Sequence, residues 1–199
     1  EWNDAMQAVG ANDIPGAILK LQAAVAENPK FALAWHNLGI LTEYGRKYPE
    51  ASAAYEKAME ADPKLLVAYA ALNRLLVGQQ DWAGVLKTSA ALIPVDKNRI
   101  FPEAYATQAV AHYNLKDLAA AEAAATESLN PKAKRIFPRG EYVLGRILEA
   151  KGDTAGAKQH MARYLELAPG VADAAQIQAH IDMMGTPGAP EPEMVVLNR

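Results

Sequence analysis

The sequence predicts an all-α fold: a right-handed solenoid of five helix pairs closed by a C-terminal capping helix. Two ladders of positions, four residues apart, recur along the chain at steps of 34, 34, 36 and 36 residues. The ladders are Ala17, Ala51, Val85, Ala121 and Ala157, and Asp13, Lys47, Asp81, Asp117 and Asp153. A fixed period near 34 residues indicates one supersecondary repeat copied along the chain. Such repeats contact mainly their neighbours and bury a continuous core.

The composition is typical of thin, closely packed helical layers. Hydrophobic residues make up 51% of the chain, many of them alanine, whereas aromatic residues make up only 7%. Alanine is the best helix former. The net charge of −3 argues against a nucleic-acid partner, which requires a basic surface. The chain has no cysteine, which excludes disulfides, thiolate metal sites and a cysteine nucleophile.

The second repeat carries the clearest motif. It reads Trp35-x-x-Leu38-Gly39, then Ala51-x-x-x-Tyr55-x-x-Ala58, then Pro63. This pattern resembles the tetratricopeptide repeat, in which large and small residues alternate so that two antiparallel helices nest. Thr42 departs from the family pattern, which has an aromatic residue at that place. We expect the two helices of this repeat at about 31–45 and 48–61.

The resemblance extends over residues 1–184. We expect repeats at about 1–31, 32–65, 66–101, 102–137 and 138–169, and a capping helix at 170–184. Asp13 and Asp81 are expected to cap the second helix of their repeats, because a carboxylate there accepts from free backbone N–H groups. The third repeat is degenerate, since Asn73 replaces the family's glycine.

Two connections are longer by two residues and resemble each other. They read Arg99-Ile100-Phe101-Pro102 and Arg135-Ile136-Phe137-Pro138. We expect a hydrophobic wedge between repeats, with a dedicated docking loop as the alternative.

The composition changes again at the C-terminus. Residues 185–199 are rich in proline and glycine and are expected to be extended. Within 190–197, Glu191 and Glu193 precede an apolar run, Met194-Val195-Val196-Leu197. We expect this tail to dock on a solenoid surface, of its own chain or of a neighbour, with a neighbour favoured.

The sequence carries no motif of a catalytic or cofactor site. It has no glycine-rich phosphate loop, no GxSxG and no HExxH. His36, His112, His160 and His180 lack a partner at metal-ligand spacing; His112 is expected at the core boundary, and His160 and His180 on the surface. We therefore expect no enzyme activity, cofactor or metal.

The resemblance implies that the first helix of each repeat lines a concave groove. Residues at helical spacing along these first helices then lie on one face, which lines the groove. The predicted peptide-binding groove is His36, Asn37, Ile40, Tyr44, Val67, Ala70, Arg74, Val110, Tyr113, Arg139, Tyr142 and Arg146. Its tyrosines can anchor a ligand, and its arginines can hold carboxylates. We expect Arg74 and Arg146 to point to solvent. The carboxylate clamp of chaperone-binding members is missing, because only Asn37 matches it.

The resemblance implies a non-catalytic scaffold that binds an extended or helical protein segment, acidic or apolar in character. The alternatives are an assembly subunit that self-associates or docks into an envelope or pilus complex, and the repeat region of a larger enzyme or receptor. No apolar run approaches 18 residues, so no transmembrane segment is predicted. The chain begins at Glu1 without methionine, which suggests a processed or shortened chain and leaves the compartment open.

Overall fold

A computed structural model of the chain describes residues 2–133 and 135–186. Within those residues every regular element is a helix, which confirms the predicted all-α class. The helices are α1 (Trp2–Gly10), α2 (Ile14–Glu27), α3 (Ala32–Tyr44), α4 (Tyr48–Ala61), α5 (Leu66–Gly78), α6 (Trp82–Leu92), α7 (Pro102–Asn114), α8 (Leu118–Ser128), α9 (Arg139–Ala150), α10 (Thr154–Leu167) and α11 (Ala174–Met183). The proposed tail contact lies outside the described residues.

The described part of the chain forms two compact units, unit 1 up to Gln79 and unit 2 from Gln80. In unit 1, α1 packs on α2, α2 on α3, α3 on α4 and α4 on α5. In unit 2, each helix from α6 to α10 packs on its neighbour in sequence, α7 also packs on α9, and α11 packs on α10. The repeat boundaries themselves remain a prediction.

The residues of the first ladder lie in the core. Ala17, Ala51, Val85, Ala121 and Ala157 are all fully buried. Two glycines of the first helices show why the space is limited. A Cβ on Gly39 would lie 2.5 Å from Cε1 of Tyr55, and a Cβ on Gly145 would lie 2.7 Å from Cγ of Met161. The period of the sequence therefore records where paired helices touch.

The aspartates of the second ladder cap the second helix of their pairs. Asp13, Asp81, Asp117 and Asp153 each accept a hydrogen bond from the backbone N–H three residues on, at 2.9–3.1 Å. This confirms the predicted caps at Asp13 and Asp81. Lys47 has nearly the same backbone geometry but makes no side-chain cap.

The first of the two long connections is organised by a buried carboxylate. Asp96 is 6% exposed and accepts hydrogen bonds from the N–H groups of Ile100 and Phe101, at 2.9 and 2.8 Å. Phe101 is half-buried, as the predicted wedge requires, and so is Phe137 in the second connection. The isoleucine beside each phenylalanine is exposed instead.

The capping helix is shorter than predicted. It covers Ala174–Met183 rather than 170–184, because residues 172–173 form a turn and Asp173 is its N-cap. Ile177, Ile181 and Met184 are buried against the core of unit 2, so the predicted apolar face does cover the last layer.

The missing cap at α4 offers a stabilising substitution. Lys47→Asp should raise the melting temperature, because an aspartate there can accept from the N–H of Glu50 and favours the helix dipole. A cap contributes about 0.5–2 kcal/mol, and each kcal/mol corresponds to roughly 2–4 °C in a chain of this size. Thermal unfolding followed by circular dichroism measures the shift. Asp117→Ala is the matched control and should lower the melting temperature by a similar amount; no rise for Lys47→Asp would contradict the cap.

The nesting of Gly39 on Tyr55 predicts a local loss of stability. Gly39→Ala should destabilise α3 and α4 by about 1–3 kcal/mol, because the fully buried ring cannot move away from the added methyl. Amide hydrogen exchange resolves the effect helix by helix. Gly10→Ala is the control, since a Cβ there meets nothing within 4 Å, and it should leave exchange in α1 unchanged or slower.

Candidate functional site

Unit 1 exposes apolar side chains along its first helices. Leu33, Ile40 and Tyr44 on α3 are 46, 43 and 77% exposed, and Val67 on α5 is 42% exposed. The α3 residues are spaced by seven and four, which places them on one stripe of the helix. We call these four side chains and the polar groups beside them the α3/α5 face. Large apolar groups in such a row on a soluble protein point to a contact surface.

A polar link centred on Glu43 joins three helices of unit 1 at this face. Arg74 on α5 donates to both oxygens of Glu43 on α3, at 2.6 and 2.8 Å. Tyr55 on α4 donates to the same carboxylate at 2.7 Å. Burial, together with the Glu43 carboxylate, raises the pKa of Tyr55, so its phenol stays protonated and serves as a hydrogen-bond donor. The Arg74 side chain remains 59% exposed, so its guanidinium can donate to a second carboxylate.

The remaining predicted groove residues of unit 1 lie deeper. His36 is half-buried with its ring 5.7 Å from that of Tyr55, and burial lowers its pKa, which favours the neutral imidazole. Asn37 donates to the sulfur of Met6 at 3.6 Å, and Ala70 is half-buried. These three half-buried side chains lie behind the α3/α5 face and offer little surface to a ligand.

Three of the predicted groove residues of unit 2 are buried in the fold. Val110 is fully buried, Tyr113 is 7% exposed and Arg146 is 9% exposed. The expectation that Arg146 points to solvent is therefore wrong. The cause is the packing of α7 directly on α9, which closes over the side chains that a single-helix pattern would leave open.

Arg146 belongs to a charge cluster that reaches the capping helix. Its Nε lies 3.2 Å from Oε2 of Glu149, one turn later on α9. Nε2 of His180, on α11, lies 2.8 and 3.0 Å from the two oxygens of Glu149. His180, expected on the surface, is largely buried in this cluster. The spacing of Arg146 and Glu149 was visible in the sequence as an i,i+3 pair, but no local signal could have connected Glu149 to His180.

Arg139 and Tyr142 are also held inside unit 2. The Arg139 guanidinium lies 5.4 Å from the centre of the Tyr142 ring, and its Nη1 donates to the Tyr164 hydroxyl at 3.3 Å. Its side chain is only 17% exposed. The twelve predicted groove residues thus divide between an open face in unit 1 and a largely closed one in unit 2. Whether either face binds a peptide stays a prediction.

The described residues hold no group of three or more His, Asp or Glu side chains arranged to bind a metal ion. Among the same residues, no helix is both long enough and apolar enough to span a bilayer.

Comparison with known proteins agrees with the helix pairs. The family model of the tetratricopeptide repeat matches residues 32–65 and 142–170. No curated protein matches the chain in sequence.

Several solved structures share the fold at low sequence identity. MamA 41-end from Desulfovibrio magneticus RS-1 is 16% identical, with a TM-score of 0.69 over 85% of this chain and 94% of that chain. PilW, described as a widely conserved type IV pilus biogenesis factor, is 16% identical, with a TM-score of 0.67 over 93% and 91% of the two chains. YrrB, described as a TPR protein with an unusual peptide-binding site, is 18% identical, with a TM-score of 0.61 over 83% and 85%.

Residues 32–65 and 142–170 are thus tetratricopeptide repeats by the family model, and the chain shares its all-helical fold with solved structures of tetratricopeptide-repeat proteins.

Proposed function

We propose that this protein is a non-catalytic interaction scaffold that binds an extended or helical segment of a partner protein on the α3/α5 face. The observation that carries the proposal is the row of exposed apolar side chains on that face. In unit 2 the residues that correspond to Ile40, which are Val110 and Arg146, are buried instead.

The chemistry of the face defines the ligand. Leu33, Ile40 and Val67 favour an apolar segment, and the exposed ring of Tyr44 is the type of anchor that dominates binding energy at interfaces. Arg74 keeps donors available beside Glu43, so an acidic side chain next to the apolar ones gains a charged hydrogen bond. We therefore expect a partner segment with apolar residues at helical or alternating spacing and one carboxylate.

The same groups argue against catalysis at this face. The charges of Glu43 and Arg74 neutralise each other, and the raised pKa of Tyr55 keeps its phenol protonated, so it is not available as a general base. The fold is shared with a pilus biogenesis factor and with a protein that has a peptide-binding site, and fold alone does not choose between them. An assembly subunit would show itself as an oligomer that buries the α3/α5 face.

Peptides selected for binding test the face directly. We expect peptides selected on the whole chain from a phage-displayed library to be rich in apolar residues. Ile40→Asp should weaken their binding at least tenfold, because it places a charge in the centre of the apolar stripe. Leu115→Asp is the control, since Leu115 is 51% exposed in unit 2, and it should bind as the parent does. Titration calorimetry measures both affinities.

Equal binding to the variant and the parent would contradict the proposal. If the selected peptides bind the Ile40→Asp variant and the parent equally, the ligand lies elsewhere and the proposal is lost. Sedimentation velocity over a range of concentrations identifies self-association, and Ile40→Asp should leave an oligomer intact unless the face is its interface.

The two arginines of the predicted groove should respond differently to charge reversal. Arg74→Glu should weaken binding of an acidic selected peptide and leave helix content unchanged, because its side chain is exposed. Arg146→Glu should instead destabilise unit 2 by about 3 kcal/mol or more, because it removes one of the two partners of the nearly buried Glu149 and places a second carboxylate beside it. Peptide titration and thermal unfolding measure the two effects. Equal behaviour of the two variants in both measurements would contradict the assignment.

A further inference from the structure

A second apolar surface lies in unit 1, between the second helices of its first two pairs. Two adjoining pockets of about 550 and 420 Å³ share Ile18, Gln22, Thr42 and Lys47 as walls. Together they form one groove whose sides are α2 and α4 and whose floor is α3. We call it the α2–α4 groove. No part of the sequence reasoning identified it, because its walls come from different repeats.

The groove is apolar inside. Ile18 and Leu19 line it from α2, Leu38 and Leu41 from α3, and Ala54 from α4. Leu19 is 67% exposed although it is a large aliphatic side chain on a helix surface. Volume, apolar lining and an uncovered leucine together describe a site that gains from being filled.

The rim of the groove is basic at both ends. Lys47 precedes α4 and Lys57 lies ten residues later on the same helix, about 15 Å away at a rise of 1.5 Å per residue. Between them, Glu50 contributes an acidic side chain to the lining of the groove. Lys57 pairs with Glu60 in unit 1, whereas Lys47 makes no ion pair among the described residues.

The chain itself contains a segment of matching length and chemistry. Met194–Leu197 is a run of four apolar residues, which in extended form measures about 14 Å at roughly 3.4 Å per residue. That length is close to the distance of about 15 Å between the two lysines. Glu191 and Glu193 precede the run, so their carboxylates meet a lysine whichever way the segment enters.

The length of the connection favours a second copy as the source of this segment. Only residues 187–190 separate Thr186 from Glu191, and the five steps between those two residues extend about 17 Å at most. Docking within one chain would therefore require the groove to lie within that distance of the end of α11. A second copy has no such restriction. Because the groove and the segment are different surfaces, the contact would be head-to-tail and would not close on itself.

We propose that residues Glu191–Leu197 of a second copy bind in the α2–α4 groove, with the apolar run against Ile18, Leu19 and Leu41 and the glutamates beside Lys47 or Lys57. The site is separate from the α3/α5 face, although Tyr44 borders both. The protein would thereby associate with itself through its own C-terminal segment.

A labelled peptide of residues 187–199 tests the site. The receptor is the whole chain carrying Val195→Asp and Val196→Asp, so that its own segment does not compete. Fluorescence anisotropy should show binding to this receptor, weakened at least tenfold by Leu19→Glu and unchanged by the matched Leu115→Glu. Lys47→Asp should also weaken binding several-fold although it is expected to stabilise α4, so that loss of folding cannot explain the result.

Mixing experiments then test the second copy. The parent chain should grow in mass with concentration in sedimentation velocity. The Leu19→Glu chain keeps the segment, and the Val195→Asp, Val196→Asp chain keeps the groove, so each should be monomeric alone and the equimolar mixture should form 1:1 pairs. This complementation is specific to a head-to-tail contact.

Each other outcome overturns the proposal. Peptide binding that Leu19→Glu does not change would place the segment elsewhere, and loss of binding with Ile40→Asp alone would place it on the α3/α5 face. A parent chain that stays monomeric at every concentration would show that the segment does not join two copies, even if the peptide binds in the groove. If the peptide does not bind at all, the segment is not the ligand of the groove.

Discussion

The close approach of the two helices within each pair is the constraint on which the rest of this structure depends. It requires a residue with little or no side chain opposite a large one, as at Gly39 against Tyr55 and Gly145 against Met161. Once that contact is set, the helices lie at a fixed distance and angle, and the next pair stacks on the surface they form. The ladder positions are fully buried at the same period, so the period in the sequence is a period in burial.

The candidate binding face grows out of this packing contact. Because Tyr55 lies flat against Gly39, its hydroxyl reaches Glu43 one turn further along α3, and Glu43 in turn holds Arg74 on α5. One nested pair therefore orients a charged group of the following repeat. A change at Gly39 is expected to disturb the position of Arg74 as well as the stability of α3 and α4, since the two are coupled through a single phenol.

Helical periodicity predicted the fold and only part of the site. The ladders, the aspartate caps and the family motif depend on residues close in sequence, so they could be recognised without a structure. The exposure of Tyr113 and Arg146 depends on how α7 meets α9, and the contact of His180 with Glu149 joins residues 31 apart. The α2–α4 groove likewise exists only when two repeats are stacked. A stripe on one helix indicates which residues share a face, but its neighbours decide whether that face is open.

The two units show two uses of the same repeat position. In unit 2, Arg146, Glu149 and His180 connect α9 to the capping helix, and the apolar end of α11 covers the last layer of the core. Three charged or titratable groups can lie this deep only because each meets a partner. At the α3/α5 face of unit 1, the ion pair of Arg74 and Glu43 lies beside apolar groups that remain exposed. A side chain already engaged in closing the fold cannot also take a ligand, so a repeat protein gains binding capacity where its first helices are left uncovered. On that argument the α3/α5 face, rather than its equivalent in unit 2, is where a partner segment would find both an apolar surface and a charge to pair with.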